Sequence, residues 1–262
     1  MFTNKTIVLT GANGGIGSEV AKQLSSQGAM LVLVGLNEVG LHQLNQQLGG
    51  QHHSIQADIT SFDGRQSIVS FCQQLKYGID IVINNAGIGQ FSLFEDMDEN
   101  QISAIININL SSTILLTQSL LPLLLTRPHA QIVNIGSILG SIGYPGSTVY
   151  CASKFGLRGF TEALHRELMD TSISVRFFAP RATNTAINTD KVVAMNNELG
   201  TKMDSAERVA IELTSFLKTD DFSKYLGWPE KIFILINSLL PSLVDSSLIK
   251  KLPIIKRYLA GA

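Results

Sequence analysis

Cysteine and charged residues are both scarce in this chain. Of its 262 residues only Cys72 and Cys151 are cysteines, too few for a disulfide framework and without the spacing of a metal site. Charged residues make up 16% and the net charge is −1, so no overall field attracts nucleic acid. These absences argue against a disulfide-rich secreted domain, a metal site and a nucleic-acid-binding protein.

Long unbroken apolar runs are lacking as well. The two longest, residues 114–125 and 232–244, are each interrupted by a proline and an amide residue and are too short to span a bilayer. Before the first apolar run, residues 7–9, there is no room for a signal peptide. We therefore expect a soluble, cytoplasmic protein.

The chain does have ample material for a core, since 45% of its residues are hydrophobic. Short β-branched runs alternate with longer helical patterns, which is typical of βαβ units in a parallel sheet. We predict one doubly wound Rossmann-like α/β domain over residues 1–262, with residues 229–262 as an apolar and basic extension packed on it. The predicted strands are 7–9, 30–34, 53–56, 79–84, 131–135 and 174–178, and the predicted helices are 16–27, 37–48, 62–76, 99–125 and 149–169.

A glycine-rich turn joins the first strand to the first helix. Its glycines permit a tight turn and close approach of backbone to a pyrophosphate, and the helix amino terminus offers free N–H groups and a positive dipole end. The alternative is a strand-to-helix turn that binds nothing. Its position within a βαβ unit favours dinucleotide binding, with contacts from Gly11, Asn13, Gly15, Ile16 and Gly17.

A set of three residues in the second half of the chain has the chemistry that carbonyl reduction requires. Tyr150 and Lys154 are four apart on a predicted helix and share one face, and Ser137 follows the fifth strand. A phenol can donate a proton near neutral pH, and a nearby ammonium favours its ionised form. A serine hydroxyl can stabilise a developing alkoxide. A Tyr-x-x-x-Lys pair alone also occurs on solvated helix faces.

The glycine turn, the Asn84-Asn85-Ala86-Gly87 segment, Ser137 and Tyr-x-x-x-Lys together resemble the short-chain dehydrogenase/reductase family, over about residues 6–185. The resemblance implies an NAD(P)(H)-dependent oxidoreductase that interconverts a carbonyl and a secondary alcohol, with Tyr150, Lys154 and Ser137 catalytic. It adds Asn109 as a proton-relay residue, although an asparagine there can simply cap or bend the helix. It also implies cofactor contacts from Asp58, Ile59, Asn85, Ala86, Gly87, Tyr150, Lys154, Pro180 and Thr185.

Three positions depart from the family pattern. Gly35 stands where NAD-preferring members carry an acid, and Leu36 where NADP-preferring members carry an arginine. With no acid to repel a 2′-phosphate, we favour NADP(H) over NAD(H). Arg181 replaces the usual glycine after Pro180. It either meets an anionic group of the substrate or faces solvent.

The substrate side and the carboxyl-terminal segment are less clearly marked. An apolar rim favours acyl chains or other lipophilic carbonyl compounds, and the family resemblance implies a homodimer or homotetramer. The segment 232–258 is an oligomer contact, a substrate lid or a membrane-surface segment. A silent NAD(P)-binding sensor or scaffold, or a peripheral-membrane binding protein, remains an alternative to the enzyme. The predicted rim consists of Ile88, Phe91, Ile138, Leu139, Ile142 and Tyr144.

Overall fold

The computed structural model describes residues 2–185 and 187–260. Its centre is a parallel sheet of seven strands in the order β3-β2-β1-β4-β5-β6-β9, and β7 and β8 form a separate parallel pair. The strands are β1 Thr6–Thr10, β2 Met30–Gly35, β3 His53–Gln56, β4 Ile81–Asn84, β5 Ala130–Ile135, β6 Ile173–Ala179, β7 Thr183–Asn184, β8 Asp204–Ser205 and β9 Ser223–Tyr225.

Helices cover both faces of the sheet and extend beyond its last strand. Those before β6 are α1 Gly15–Ser26, α2 Glu38–Gln47, α3 Phe62–Gln74, α4 Glu99–Ile106, α5 Ser112–Leu125 and α6 Thr148–Glu167. Those after it are α7 Asp190–Glu198, α8 Ala206–Phe216, α9 Trp228–Leu239 and α10 Pro241–Ala260. The expectation of a doubly wound Rossmann-like α/β fold is confirmed.

Each face of the sheet has its own core, because alternate residues of a strand point to opposite sides. Leu9 and Leu33 pack with α1, α2 and α8, whereas Val8 and Val32 pack with α3 and α5. The strands are apolar on both faces, as expected of a sheet that is buried on both sides. The result is three layers with the sheet in the middle.

The order of the strands determines where a ligand can bind. From β1 the chain runs to β2 and β3 on one side and then returns to β4 on the other, so the direction of winding reverses between β1 and β4. The loops after these two strands separate there, which opens a crevice at the carboxyl ends of the strands. The glycine turn follows β1 and the segment Asn85–Gly87 follows β4, so both lie at this crevice.

The predicted helix 99–125 is interrupted. The five residues Asn107–Ser111 form a π-helical turn between α4 and α5. Single π-helical turns of this kind occur frequently at functional sites. The combined run Glu99–Leu125 is long and apolar enough to cross a membrane by length and composition alone. Leu116, Leu120 and Leu124 are nevertheless fully buried in the core against the sheet, so this run is a core helix of the fold.

The chain after β6 contains elements that the sequence patterns did not predict. Residues between β7 and β8 include α7, and α8 then returns to the face of α1 before β9 closes the sheet. The last two helices, α9 and α10, form a hairpin that packs on the same chain. They contact the region beyond the carboxyl ends of β5 and β6, where Val244 of α10 is buried with Ile138 and Ile142.

Candidate active site

The glycine turn is packed directly against the segment after β4. Gly11 has a φ of +61°, and a Cβ on it would lie 3.0 Å from the Cα of Ala86. A Cβ on Gly17 would lie 2.1 Å from the carbonyl oxygen of Gly11, a separation no real side chain tolerates. Glycine is therefore required at both positions: at Gly11 because of its backbone conformation, and at Gly17 because there is no space for a side chain.

The first turn of α1 is available to bind an anion. Gly14 precedes the helix without a side-chain cap, so the amide N–H groups of Gly15, Ile16 and Gly17 have no partner within the helix. A Cβ on Gly15 would lie 2.7 Å from Thr185 Cγ2, so Thr185 borders the same turn. A glycine-lined helix amino terminus fits the pyrophosphate of a dinucleotide.

Asn13 extends from this turn toward the carboxyl end of β2. A Cβ on Gly35 would lie 2.6 Å from Asn13 Oδ1, and a Cβ on Gly40 would lie 2.7 Å from its Nδ2. Leu36 follows with 65% of its surface exposed. The amide of Asn13 thus occupies the space that an acid at position 35 would need.

The segment after β4 is held to the glycine turn by hydrogen bonds. Thr10 Oγ1 accepts from the amides of Asn85 and Ala86, both at 3.0 Å, and Asn85 Nδ2 donates to the carbonyl oxygens of Thr10 and Gly11. The side chain of Asn85 therefore fixes the two walls of the crevice relative to each other. Its backbone, with Ala86 and Gly87, forms the exposed wall.

Asp58 and Ile59 lie at the end of β3, where the family resemblance places the adenine. Asp58 Oδ1 accepts from the backbone N and the hydroxyl of Thr60, both at 2.8 Å, and the residue is exposed. The N-cap of α3 is Ser61, so Asp58 does not cap this helix. Ile59 is 8% exposed and belongs to the core with Ile68, so most of its side chain packs inward.

Tyr150 and Ser137 meet beyond the carboxyl end of β5. A hydrogen bond between the two hydroxyls lowers the pKa of Tyr150, but burial outweighs it and raises the pKa to about 12. Ser137 Oγ also accepts from the backbone N of Leu139 at 3.1 Å, which fixes the serine at the start of a short turn. A phenol with its pKa raised in this way is protonated at neutral pH.

Lys154 lies one helical turn from Tyr150 and is buried. Its Nζ donates to the carbonyl oxygen of Ile135 at 2.9 Å and lies 5.8 Å from the centroid of the Tyr150 ring. Burial lowers the pKa of Lys154 to about 8. Loss of solvation is the largest influence on the pKa of both Tyr150 and Lys154.

Asn109 reaches the same place from the π-helical turn. It is fully buried, its Oδ1 accepts from the backbone N of Ile88 at 2.8 Å, and its Nδ2 donates to Ile88 O at 2.9 Å. A Cβ on Gly87 would lie 3.2 Å from Asn109 Oδ1 and 3.6 Å from Lys154 Nζ. Asn107 is exposed, so Asn109 is the asparagine of this turn that borders the site.

Sequence reasoning missed Ser153. Its Oγ donates to the carbonyl oxygen of Tyr150 at 2.7 Å and accepts from Asn109 Nδ2 at 3.1 Å. A small residue between Tyr150 and Lys154 allows α6 to approach the π-helical turn. A small residue at position 153, next to the helix face that carries Tyr150 and Lys154, was the signal in the sequence that could have indicated this close approach.

Both expectations for Arg181 are wrong. Its Nε and Nη2 donate to the two carboxylate oxygens of Asp204 at 2.9 and 2.7 Å, and its Nη1 lies 3.5 Å from Glu230. The side chain is only 9% exposed, so it neither faces solvent nor is free for a substrate anion. Arg181 ties the loop after Pro180, whose carbonyl oxygen accepts from Ile138 N, to β8 and to the first turn of α9.

Replacing Arg181 with alanine is expected to destabilise the fold by about 2–4 kcal/mol. Buried Asp204 would lose its bidentate partner, and half-buried Glu230 would lose its ion pair. Arg208→Ala is the matched control, since Arg208 pairs with the same Asp204 but is 59% exposed. Its loss should cost at most about 1 kcal/mol. Urea unfolding measures both, and equal effects of the two substitutions would contradict the assignment.

The predicted substrate rim is largely covered by the carboxyl-terminal helices. Ile138 and Ile142 pack with α9 and α10, and Asn237 Nδ2 of α9 donates to Ser141 O at 3.0 Å. Phe91 and Tyr144 pack in a second cluster with Leu259 of α10 and with α7. The hairpin therefore lies over the substrate side of the site.

The comparisons with known proteins agree with this architecture. A family model described as short chain dehydrogenase matches residues 5–196. Nodulation protein G of Rhizobium sp. (strain N33) is 33% identical over 219 residues, which are 80% of this chain and 89% of that protein. The 3-oxoacyl-(acyl-carrier-protein) reductase FabG of Haemophilus influenzae is 33% identical over 231 residues, 85% of this chain and 94% of the relative.

A solved structure shows the same fold at lower identity. The short chain dehydrogenase/reductase from Burkholderia phymatum in complex with NAD superposes with a TM-score of 0.84 at 20% identity, covering 92% of this chain and 95% of that one. The chain belongs to the short-chain dehydrogenase/reductase family. It is an NAD(P)-dependent oxidoreductase that acts on CH–OH or C=O groups of small molecules.

Proposed function

We propose that this enzyme reduces the carbonyl group of an acyl-type or other lipophilic substrate to a secondary alcohol, with Tyr150 as the proton donor. The observation that carries the proposal is the arrangement beyond β5, where Lys154 Nζ is held by Ile135 O and lies 5.8 Å from the centroid of the Tyr150 ring, next to Ser137. Burial raises the pKa of the Tyr150 phenol to about 12. A phenol that stays protonated at neutral pH suits the reductive direction, in which the developing alkoxide needs a proton.

Each neighbouring residue has a distinct part in this proposal. Ser137 donates to the substrate oxygen and stabilises its growing negative charge. Lys154, whose partner within the described residues is Ile135 O, retains ammonium hydrogens to hold the cofactor ribose. Asn109, anchored to Ile88, borders the ammonium and belongs to the path by which Tyr150 recovers its proton.

The cofactor contacts follow the crevice from end to end. Gly11, Asn13, Gly15, Ile16 and Gly17 hold the pyrophosphate. Bound nicotinamide supplies the hydride. We propose NADP(H) over NAD(H), because Gly35 and exposed Leu36 leave no acid at the end of β2 to repel a 2′-phosphate. The other proposed contacts are Asp58, Ile59, Asn85, Ala86, Gly87, Tyr150, Lys154, Pro180 and Thr185.

Two observations support an acyl-type substrate. The surroundings of Ser137 are apolar, since Ile138 and Ile142 pack with α9 and α10, and Phe91 and Tyr144 pack with Leu259 and α7. Curated relatives of similar length include 3-oxoacyl-(acyl-carrier-protein) reductases from several bacteria. A site of this kind gains affinity as the apolar chain of the substrate lengthens, by about 0.8 kcal/mol for each buried methylene.

Turnover of 3-oxoacyl thioesters of increasing chain length tests this proposal, with each cofactor in turn. We expect kcat/KM to rise about threefold to fourfold for each added methylene until the pocket is filled. We also expect a higher kcat/KM with NADPH than with NADH. A flat dependence on chain length would exclude the acyl-type substrate, and a hundredfold preference for NADH would exclude the cofactor assignment.

We also propose a cytoplasmic homodimer or homotetramer. Leu115 and Leu125 of α5 and Phe155 of α6 are exposed at 39%, 47% and 43%, so large apolar side chains on these two helices remain for a second subunit to cover. Cys72 and Cys151 are free and buried, which suits a reducing compartment. Light scattering of Leu115→Ser with Phe155→Ser tests the oligomer, which should dissociate.

A further inference from the structure

The outer side of the α9–α10 hairpin is unusually apolar for an exposed surface. Trp228, Ile232, Leu235 and Leu239 follow one another at helical spacing on α9 and are 74%, 51%, 59% and 69% exposed. Leu240 and Leu243 continue this surface around the turn between the helices, at 56% and 57%. We call these six residues the apolar stripe.

The apolar stripe is not a side effect of poor packing. The inner residues of the same helices, including Ile234, Ile236 and Val244, pack against Ile138 and Ile142. The hairpin is therefore anchored on one side while its other side presents large hydrophobic groups to solvent. Contiguous apolar patches of this kind usually mark contact with another molecule or with a membrane.

Charge distinguishes between the candidate occupants. No charged residue occurs from 232 to 244, whereas the segment from Trp228 to the end of the chain has five basic and two acidic residues in a protein of net charge −1. Lys250 and Lys256 are exposed on α10, beyond the apolar turn. The four lysines of this segment give the hairpin a positive charge that complements anionic lipid headgroups.

We infer that the apolar stripe docks on an anionic membrane surface, with Trp228 and the leucines in the interfacial layer and the basic residues near lipid phosphates. Apolar residues on one face with lysines beside them bind such surfaces by adding burial to electrostatic attraction. Trp228, with Lys231 5.4 Å from its ring centroid, has the amphipathic chemistry of interfacial anchors. This docking would place the substrate side of the enzyme at a source of lipophilic molecules, but it does not depend on the substrate proposal.

The test is sedimentation of the full-length protein with vesicles of phosphatidylcholine alone and of phosphatidylcholine mixed with phosphatidylglycerol. We expect binding to the anionic vesicles, weakened roughly tenfold or more by Leu239→Ser with Leu243→Ser. Tyr77→Ser with Met169→Ser is the matched control, because these residues are 69% and 71% exposed elsewhere and should leave binding unchanged.

Charge is tested in the same assay. Lys250→Gln with Lys256→Gln should weaken binding to anionic vesicles and make it less sensitive to salt, whereas Lys76→Gln with Lys202→Gln should not. Equal binding to both kinds of vesicle, or equal loss in the control variants, would overturn the inference. A third outcome would also overturn it: the wild-type protein is a dimer, Leu239→Ser with Leu243→Ser makes it a monomer, and neither protein binds vesicles. The apolar stripe would then be a contact between two copies of the chain.

Discussion

Tyr150→Phe is expected to lower kcat for carbonyl reduction by about a thousandfold or more, because it removes only the hydroxyl that donates the proton. The affinity for the reduced cofactor should change little, since the ring remains and Lys154 keeps its hydrogen bond to Ile135. Steady-state turnover and cofactor fluorescence titration measure the two quantities on one preparation.

Tyr144→Phe is the control for this substitution. Tyr144 is a half-buried phenol near the same site, and burial raises its pKa as well, but it does not contact Ser137 in the described structure. Loss of its hydroxyl should change kcat by less than tenfold. Near-normal turnover by Tyr150→Phe would refute Tyr150 as the proton donor and leave the silent sensor as the better interpretation.

Lys154→Met should abolish most activity and at the same time stabilise the cofactor-free protein at pH 7. Burial lowers the pKa of Lys154 from 10.5 to about 8, so below pH 8 the folded chain carries a charge that it holds less favourably than the unfolded chain does. A difference of this size corresponds to about 3 kcal/mol. The hydrogen bond to Ile135 is lost in the variant, so we expect a net gain of about 2 kcal/mol.

The pH dependence identifies the source of that gain. Between about pH 8 and 10.5 the unfolded chain still binds the proton that folded Lys154 has released, so wild-type stability rises with pH across this window. The gain from Lys154→Met should therefore be full at pH 7 and gone at pH 10.5, where the lost hydrogen bond to Ile135 leaves the variant about 1 kcal/mol less stable than wild type. Urea unfolding at both pH values tests it, with exposed Lys76→Met as the control. A variant that is less stable than wild type at pH 7 would contradict the prediction.

Much of the sheet could be predicted from sequence because its strands are short β-branched runs between clear breakers. The predicted bounds of β3 equal those observed, His53–Gln56, and the bounds of the other five predicted strands differ by at most two residues, whereas β7, β8 and β9 have no counterpart in the prediction. The glycine turn, Ser137, Tyr150 and Lys154 lie at the carboxyl ends of these strands. Their proximity follows from the parallel order of the sheet, which the alternating pattern indicates.

What the sequence could not predict depends on contacts between distant segments. Arg181 pairs with Asp204, 23 residues later, and no local pattern indicates such a partner. The inward packing of Ile59 and the link from Ser153 to Asn109 likewise become visible only when helices and strands are assembled. The π-helical turn at Asn107–Ser111 has no periodicity distinct from the helix around it.

The position of the α9–α10 hairpin has a consequence for synthesis and for proteolysis. The crevice for the dinucleotide is built from residues before Asn188, but the apolar covering of Ile138 and Ile142 comes from α9 and α10, which follow it in the chain. A chain that is still being made, or one clipped near Gly227, would therefore retain its nucleotide crevice while water reached the proton donor from the opposite side. Such a chain would bind the dinucleotide before it could catalyse the reaction.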